Sequence, residues 1–156
     1  MAPVLVAAIK LIIMNKDILA FIQKQTAATI SCIDDHAKPY CFTVFYAWDD
    51  ENKCLIYKSS PETNHSKILS HNTFVAGTIH PDKLNKLLVQ GIQFEGQLLR
   101  NDDPLTKGAS MSYHRRHPLA IVKPGELWVI KVTHIKMTDS TKGFGTKLRW
   151  LREAEL

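Results

Sequence analysis

From Asn15 onward the apolar residues Ile18, Leu19, Phe21 and Ile22 recur at helical spacing, and Asn15 is a good N-cap, so a helix is predicted from Lys16 to about Gln25. At Thr26 that period is lost and β-branched residues take over, predicting a strand to Ile33. A turn at Asp34–Pro39 and a strand over Tyr40–Trp48 follow, and Asp49–Asn52 closes a hairpin onto a strand over Lys53–Lys58. Ser60, Pro61 and Glu62 read as the N-cap, first position and dipole-complementing acid of a helix that ends near His71-Asn72. Strands are then predicted at Phe74–His80 and Leu87–Arg100, the second containing Gly91 and Gly96, which point to a bulge or a close backbone approach. Asp103-Pro104 opens a helix reaching about His117. Glu126–Met137 makes a long strand, and Lys147–Leu151 forms the last one after a Gly143-Phe144-Gly145 loop.

Six or seven strands joined mostly by short turns, with helices inserted between them, argue for a mainly β fold. An antiparallel sheet closes into a small barrel with helices packed outside, and a parallel βαβ architecture is disfavoured. At 156 residues the chain is long enough to bury a core without disulfides or metal. One domain over residues 14–156 is expected, preceded by an apolar extension at 1–13. Val4 to Met14 is apolar except for Lys10, well short of the roughly 20 residues a membrane span needs. It lacks the basic flank and small-residue cleavage site of a secretory leader, so it reads as a short buried or docked helix.

Charge narrows the partners. Twenty Lys and Arg against fifteen Asp and Glu leave +5, which favours nucleic acid, an acidic lipid surface or a phosphorylated small molecule. The densest basic cluster, His114-Arg115-Arg116-His117, is short and is not interleaved with aromatics, which argues against nucleic acid. Cys32, Cys41 and Cys54 are odd in number and form no CxxC, so a reduced, cytoplasmic protein is the simplest expectation. His65 and His71, and His114 and His117, have no Cys or carboxylate completing a ligand set, so no metal is expected. No GxSxG elbow is present.

The richest segment runs from Tyr57 to Lys67, a strand end leading into a helix start. Its hydroxyls, backbone N–H groups and the cations Lys58 and Lys67 fit a phosphate monoester, and equally a capped helix with solvated lysines. Tyr113-His114-Arg115-Arg116 likewise reads as an anion site or as a helix end complementing its own dipole. The Gly143–Lys147 loop either brings Lys147 and Trp150 to a ligand or is only a turn.

Tyr57 with the Ser-rich strand end and His65, then Gly91-Ile92-Gln93-Phe94-Glu95-Gly96, Tyr113 to Pro118, and the block from Ile135 to Arg152 together resemble the YhbP-like proteins. That group looks like a branch of the pyridoxamine 5′-phosphate oxidase-related flavoproteins. The match runs from about residue 15 to the C-terminus. It implies an FMN-binding split β-barrel, a homodimer with flavin at the subunit interface, and a flavin-dependent oxidoreductase acting on a small-molecule substrate or electron donor. A non-catalytic module holding flavin or haem in the same cleft is the alternative. By position, Phe42, Thr43 and Val44 lie beside the isoalloxazine, while Tyr57, Lys58, Ser59 and Ser60 begin the phosphate side. Thr63, Asn64 and His65 fall where the oxidases present an Arg-Lys pair, a charge that Lys58, Lys67 or the helix N-terminus would replace. Gln90 and Gly91 align near a flavin-contacting Gln, and Lys147 with an Arg that reaches the flavin. Thr138 stands where the oxidases carry an aromatic. The oxidase substrate residues are absent, so oxidation of pyridoxamine 5′-phosphate itself is not expected. Phe42, Val44 and Trp150 would face the partner or the shared site, or else fill the monomer's own core.

Overall fold

Each change of period along the chain marks an element in the computed structural model, which describes residues 13–153. The expected N-terminal extension lies, apart from Ile13, outside the described residues. Helix α1 (Lys16–Lys24) is capped by Asn15, whose Oδ1 accepts from the Asp17 N–H at 2.8 Å, and it buries Ile18, Phe21 and Ile22. Strands β1 (Ala27–Ile33), β2 (Pro39–Asp49) and β3 (Cys54–Ser59) follow, then helix α2 (Asn64–Leu69), β4 (Phe74–Ile79) and β5 (Gln90–Leu98). Helix α3 (Ala109–Arg116), β6 (Glu126–Asp139) and β7 (Lys147–Leu151) complete the order, with 3-10 turns at Pro104–Thr106, Pro118–Val122 and Ser140–Lys142.

The strands pair antiparallel in the order β3-β2-β1-β4-β5-β6-β7, and β3 also pairs with β6. Six strands thereby close a barrel, and β7 is left as an extra strand on β6. Alternation sends Ile30, Tyr46, Leu55, Phe94, Ile130 and Ile135 into one core, where each is nearly or fully buried. Val44 and Trp150 are buried there too, and the partly buried Phe42 packs against the same core, so all three fill the monomer's own core. Where β2, β3 and β6 turn Ala47, Cys54, Ile56 and Val129 outward, Ala109 and Tyr113 of α3 cover them as a second, smaller core. That patch holds α3 over the barrel wall.

β6 changes partner partway along. Its first half pairs with β3, from Glu126 opposite Ser59 to Lys131 opposite Cys54, and its second half pairs with β7, from His134 opposite Leu151 to Thr138 opposite Lys147. Between the halves the register with β5 shifts: Glu95 faces His134 but Gly96 faces Val132, which leaves Thr133 as the extra residue of a bulge. Gly96 is required there, because a Cβ would stand 2.7 Å from the Lys131 carbonyl oxygen. Gly91 has only an ordinary contact, 3.6 Å to the Ile79 oxygen, so the close approach expected at that position is absent. Arg152 fills the split: its Nε donates to the Val132 carbonyl and its Nη2 to those of Asn52 and Lys53, each at 2.8 Å.

Several boundaries differ from expectation. The helix predicted from Ser60 begins at Asn64, with Thr63 as its cap, because Ser60 spends its carbonyl on the Thr63 and Ser66 hydroxyls. The helix predicted over 103–117 is interrupted at Gly108, whose φ of +82° ends the 3-10 turn before α3 begins. β5 starts at Gln90 rather than Leu87. Among the described residues no helix is long and apolar enough to cross a membrane.

Replacing Arg152 with Ala removes three hydrogen bonds to carbonyls at the split and is expected to cost about 2–3 kcal/mol. A lowered urea midpoint with an unchanged m-value checks this.

Candidate functional site

A cleft of about 560 Å³ opens between the β2–β3 wall and the segment from Tyr113 to Pro124. Its floor is strand backbone carrying Thr43 and Val44, and its apolar rim is Phe45, Pro118 and Leu119. Lys58, Arg116 and Lys123 supply the charge, and among the residues lining the cleft there is no carboxylate. Cations against low-dielectric walls with no compensating acid form a site for an anion.

The cationic wall is locked by hydrogen bonds. Lys58 lies on the outward face of β3, where Nζ donates to the Ala120 carbonyl at 2.7 Å and stands 3.5 Å from His114 Nε2. This ties the 3-10 turn over Pro118–Val122 to the barrel. Arg116, in the last turn of α3, reaches the carbonyls of Lys24 and Gln25 at the end of α1 (3.3 and 3.2 Å). Its charge therefore complements the negative end of that helix as well as the cleft. His117 Nε2 is 2.6 Å from the Tyr46 carbonyl; a carbonyl only accepts, so Nε2 carries the proton of that bond.

On the opposite wall His65 stacks on Phe42, with ring centroids 3.8 Å apart and planes 5° from parallel. His65 Nε2 lies 2.8 Å from Ser59 Oγ. Burial holds the His65 pKa below the usual imidazole range, so the ring is neutral at physiological pH. The Ser59 carbonyl accepts from Trp128 Nε1 at 3.0 Å, which fixes the end of β3 against β6.

The structure brings Thr43, Val44, Lys58, Ser59 and His65 together in this cleft, with Phe42 behind His65. It does not bring the other predicted residues there. Tyr57 points into the barrel, is fully buried, and its hydroxyl has no hydrogen-bond partner among the described residues. Ser60 and Thr63 hydroxyls are spent on capping, and Asn64 and Lys67 are exposed on α2 away from the cleft lining. Gln90, Gly91 and Lys147 form a second cluster: Gln90 Nε2 donates to Asp139 Oδ1 (3.2 Å), Gly91 pairs with Thr138, and Lys147 Nζ donates to Thr138 Oγ1 (2.9 Å). Lys58 pairs with Leu127 near the start of β6 and Gln90 with Asp139 at its end, a separation of roughly 40 Å along the strand at about 3.3 Å per residue.

Of the basic run at the end of α3, Arg116 and His117 face the cleft, whereas Arg115 lines a separate hollow beside Trp48. Lys123 and Phe45 were not legible as site residues: Lys123 follows an apolar run with no partner motif, and Phe45 alternates like any strand residue. No group of three or more metal-ligating side chains is present among the described residues.

No protein-family model matches the chain. The chain is 33% identical to the UPF0306 protein YhbP of Salmonella paratyphi B over 123 residues, which is 79% of this chain and 84% of that protein. Among solved structures, a haem-binding protein from Mycobacterium smegmatis superposes with a TM-score of 0.72 at 14% identity, covering 92% of this chain and 61% of that one. An FAD-binding protein from Mesorhizobium loti gives 0.59 at 14% identity over 80% of this chain and 94% of its own. A NimC/NimA family protein from Clostridium acetobutylicum gives 0.61 at 14% identity over 86% and 90%. These three likenesses place the fold among split barrels.

Because the Tyr57 hydroxyl is buried without a partner among the described residues, Tyr57→Phe removes a desolvated polar group and is expected to leave stability unchanged or raise it by up to about 1 kcal/mol. Thermal unfolding of the variant measures this.

Proposed function

The chain belongs to the YhbP (UPF0306) family, and from that membership together with the cleft we propose that it binds a planar anionic cofactor, a flavin or a haem, with FMN the specific reading. The observation that carries this is the cleft itself: Lys58, Arg116 and Lys123 with no carboxylate, beside an apolar rim that suits an aromatic ring system. The donor set suits a phosphate monoester. Lys58 and Arg116 are held in place by carbonyl contacts, and Ser59 adds a hydroxyl. An FAD-binding protein of the same fold supports the flavin class, and the absence of a GxGxxG fingerprint favours the mononucleotide.

When bound, a flavin supplies reversible electron or hydride transfer with a small molecule, which makes a flavin-dependent oxidoreductase the proposed activity. The protein's own residues bind and orient. Lys58, Arg116 and Lys123 neutralise the anionic end, Thr43 and Val44 offer strand backbone to the ring, and Phe45 and Leu119 shield it from water. Three unpaired cysteines fit the reducing cytoplasm.

A homodimer is part of the proposal. The cleft residues and the Gln90–Lys147 cluster sit at opposite ends of β6, so one copy does not bring them to one ligand, whereas a second copy can. Phe45, Leu119 and Val122, exposed at 60%, 83% and 82% on and beside the rim, give that contact an apolar surface.

Haem is a second reading with its own observation. His117 Nε2–H is tied to the Tyr46 carbonyl, the arrangement that orients an imidazole for ligation through its other nitrogen, and haem-binding proteins share the fold.

The absorption spectrum of the purified protein separates the two readings, since a Soret band replaces the flavin bands if haem is bound. In fluorescence titrations FMN is expected to bind more tightly than FAD, and Lys58→Met to weaken FMN roughly ten- to hundredfold while sparing riboflavin, the loss of one charge-assisted hydrogen bond. No saturable binding of any flavin overturns the flavin reading. Sedimentation equilibrium is expected to show a dimer across the concentration range; a monomer that binds one flavin at full affinity overturns the shared site.

A further inference from the structure

The cleft holds one imidazole whose hydrogen-bond partner is a hydroxyl, able to donate or accept, and not a carbonyl or a cation. Lys58 and Arg116 are permanent cations with carbonyl partners. His114 is tied through Nδ1 to the Ser110 carbonyl at 2.9 Å, and its Nε2 lies 3.5 Å from Lys58 Nζ. His117 is tied to the Tyr46 carbonyl. His65 instead has its ring face on Phe42 and its Nε2 against a hydroxyl, and its Nδ1 has no hydrogen-bond partner among the described residues. A hydroxyl donates or accepts, so Ser59 serves either protonation state of that ring.

We infer that His65, positioned by Phe42 and Ser59, is the group that selects a phosphate monoester in this cleft, and that it does so by taking up a proton from solvent as the anion binds. In the neutral ring Nε2 accepts from the Ser59 hydroxyl. In that neutral ring Nδ1 already carries the proton and can donate to a phosphate oxygen. The added proton goes to Nε2, which then donates to Ser59 Oγ, and the Ser59 O–H is released toward the same anion. One proton thus adds a positive charge and one further donor for the anion. The inference rests on the anion-binding reading of the cleft and adds the chemistry by which a dianion is preferred over a neutral ligand.

The surroundings favour this coupling. Before ligand binding, burial disfavours a positive charge on His65, and Lys58, Arg116 and Lys123 line the same cleft. No carboxylate lines the cleft to offset them; Glu126, opposite Ser59 on β6, is exposed and outside the lining, and α2 adds only the exposed Lys67. Tyr113, whose pKa burial raises, stays neutral. A bound dianion reverses the balance of charge and raises the His65 pKa from its depressed value. Affinity therefore rises as pH falls through the bound-state pKa toward the free-state one. Below about pH 6 protonation of the phosphate itself opposes the trend.

Two measurements test this. In the first, the His65 ring protons are titrated by NMR with and without inorganic phosphate; an upward shift of the His65 midpoint by about one pH unit or more is expected, and an unchanged midpoint at saturating phosphate overturns the inference. In the second, FMN and riboflavin affinities are measured from pH 8.5 to 6.5. FMN is expected to tighten by up to about tenfold per pH unit, the limit for one linked proton, and riboflavin to stay flat. His65→Gln removes the slope, His65→Arg gives pH-independent binding, and His117→Gln and His114→Gln each keep it. A slope that survives His65→Gln overturns the inference. Failure of FMN to bind at all, with phosphate still shifting His65, overturns the flavin reading and leaves the phosphate assignment standing.

Discussion

The guanidinium of Arg152 occupies the place where the barrel divides. A strand has two edges, and β6 must serve three neighbours: β5 along one edge, and β3 then β7 along the other. At the change-over the β3 and β7 ladders both end, and carbonyls there keep acceptor capacity that the ladders do not use. Arg152 gathers those of Val132, Asn52 and Lys53, and its own N–H donates to the Thr133 carbonyl at 2.9 Å. The Thr133 bulge supplies the bend, and Gly96 is the only residue type that lets the β5 backbone follow it. Closure through β3–β6 depends on this joint, and the cleft and the Gln90–Lys147 cluster both lie along the strand that passes through it.

The cleft follows from closure. Ala47, Cys54, Ile56 and Val129 face outward from the closed wall and must be covered, and Ala109 and Tyr113 cover them. That packing brings the basic end of α3 against β2 and β3. It also buries Cys54, whose thiol is pushed up to about 11 by desolvation and is inert at neutral pH. Lys58 then anchors the turn after α3 by its Ala120 contact, so one lysine both shapes the cleft and charges it. The excess of positive charge in the composition thus has a location, although most of it is spread over the surface.

The two sides of the cleft differ in chemistry. The α3 side carries permanent charge whose hydrogen bonds are largely committed to backbone carbonyls, which makes it rigid. The α2 side carries the neutral His65, held by an aromatic face and a hydroxyl, which leaves its protonation responsive to what binds. A split barrel can supply such a contrast because the two walls come from segments far apart in the chain, each stabilised by its own core.

The local patterns of the sequence were enough to determine the class and the order of elements. Asn15 and the spacing of Ile18, Phe21 and Ile22 define α1, and the alternation through Tyr40–Trp48 and Glu126–Met137 defines strands, because caps and periodicity act over a few residues. Element ends were less legible: Ser60 looks like a cap, but the Thr63 and Ser66 hydroxyls compete for its carbonyl, and only the folded turn decides between them. The site was legible in half. Thr43, Val44, Lys58, Ser59 and His65 converge, yet Tyr57, their neighbour in sequence, alternates to the inner face, and Lys123 enters from a segment with no motif. Which cations meet, which tyrosine is buried, and that Arg152 closes the split are set by strand register and by contacts between residues up to a hundred positions apart, such as Arg152 with Asn52. The sequence by itself determined the elements, whose interactions are local; tertiary structure alone decided the chemistry, because a site is a matter of distances between side chains that pairing and packing create.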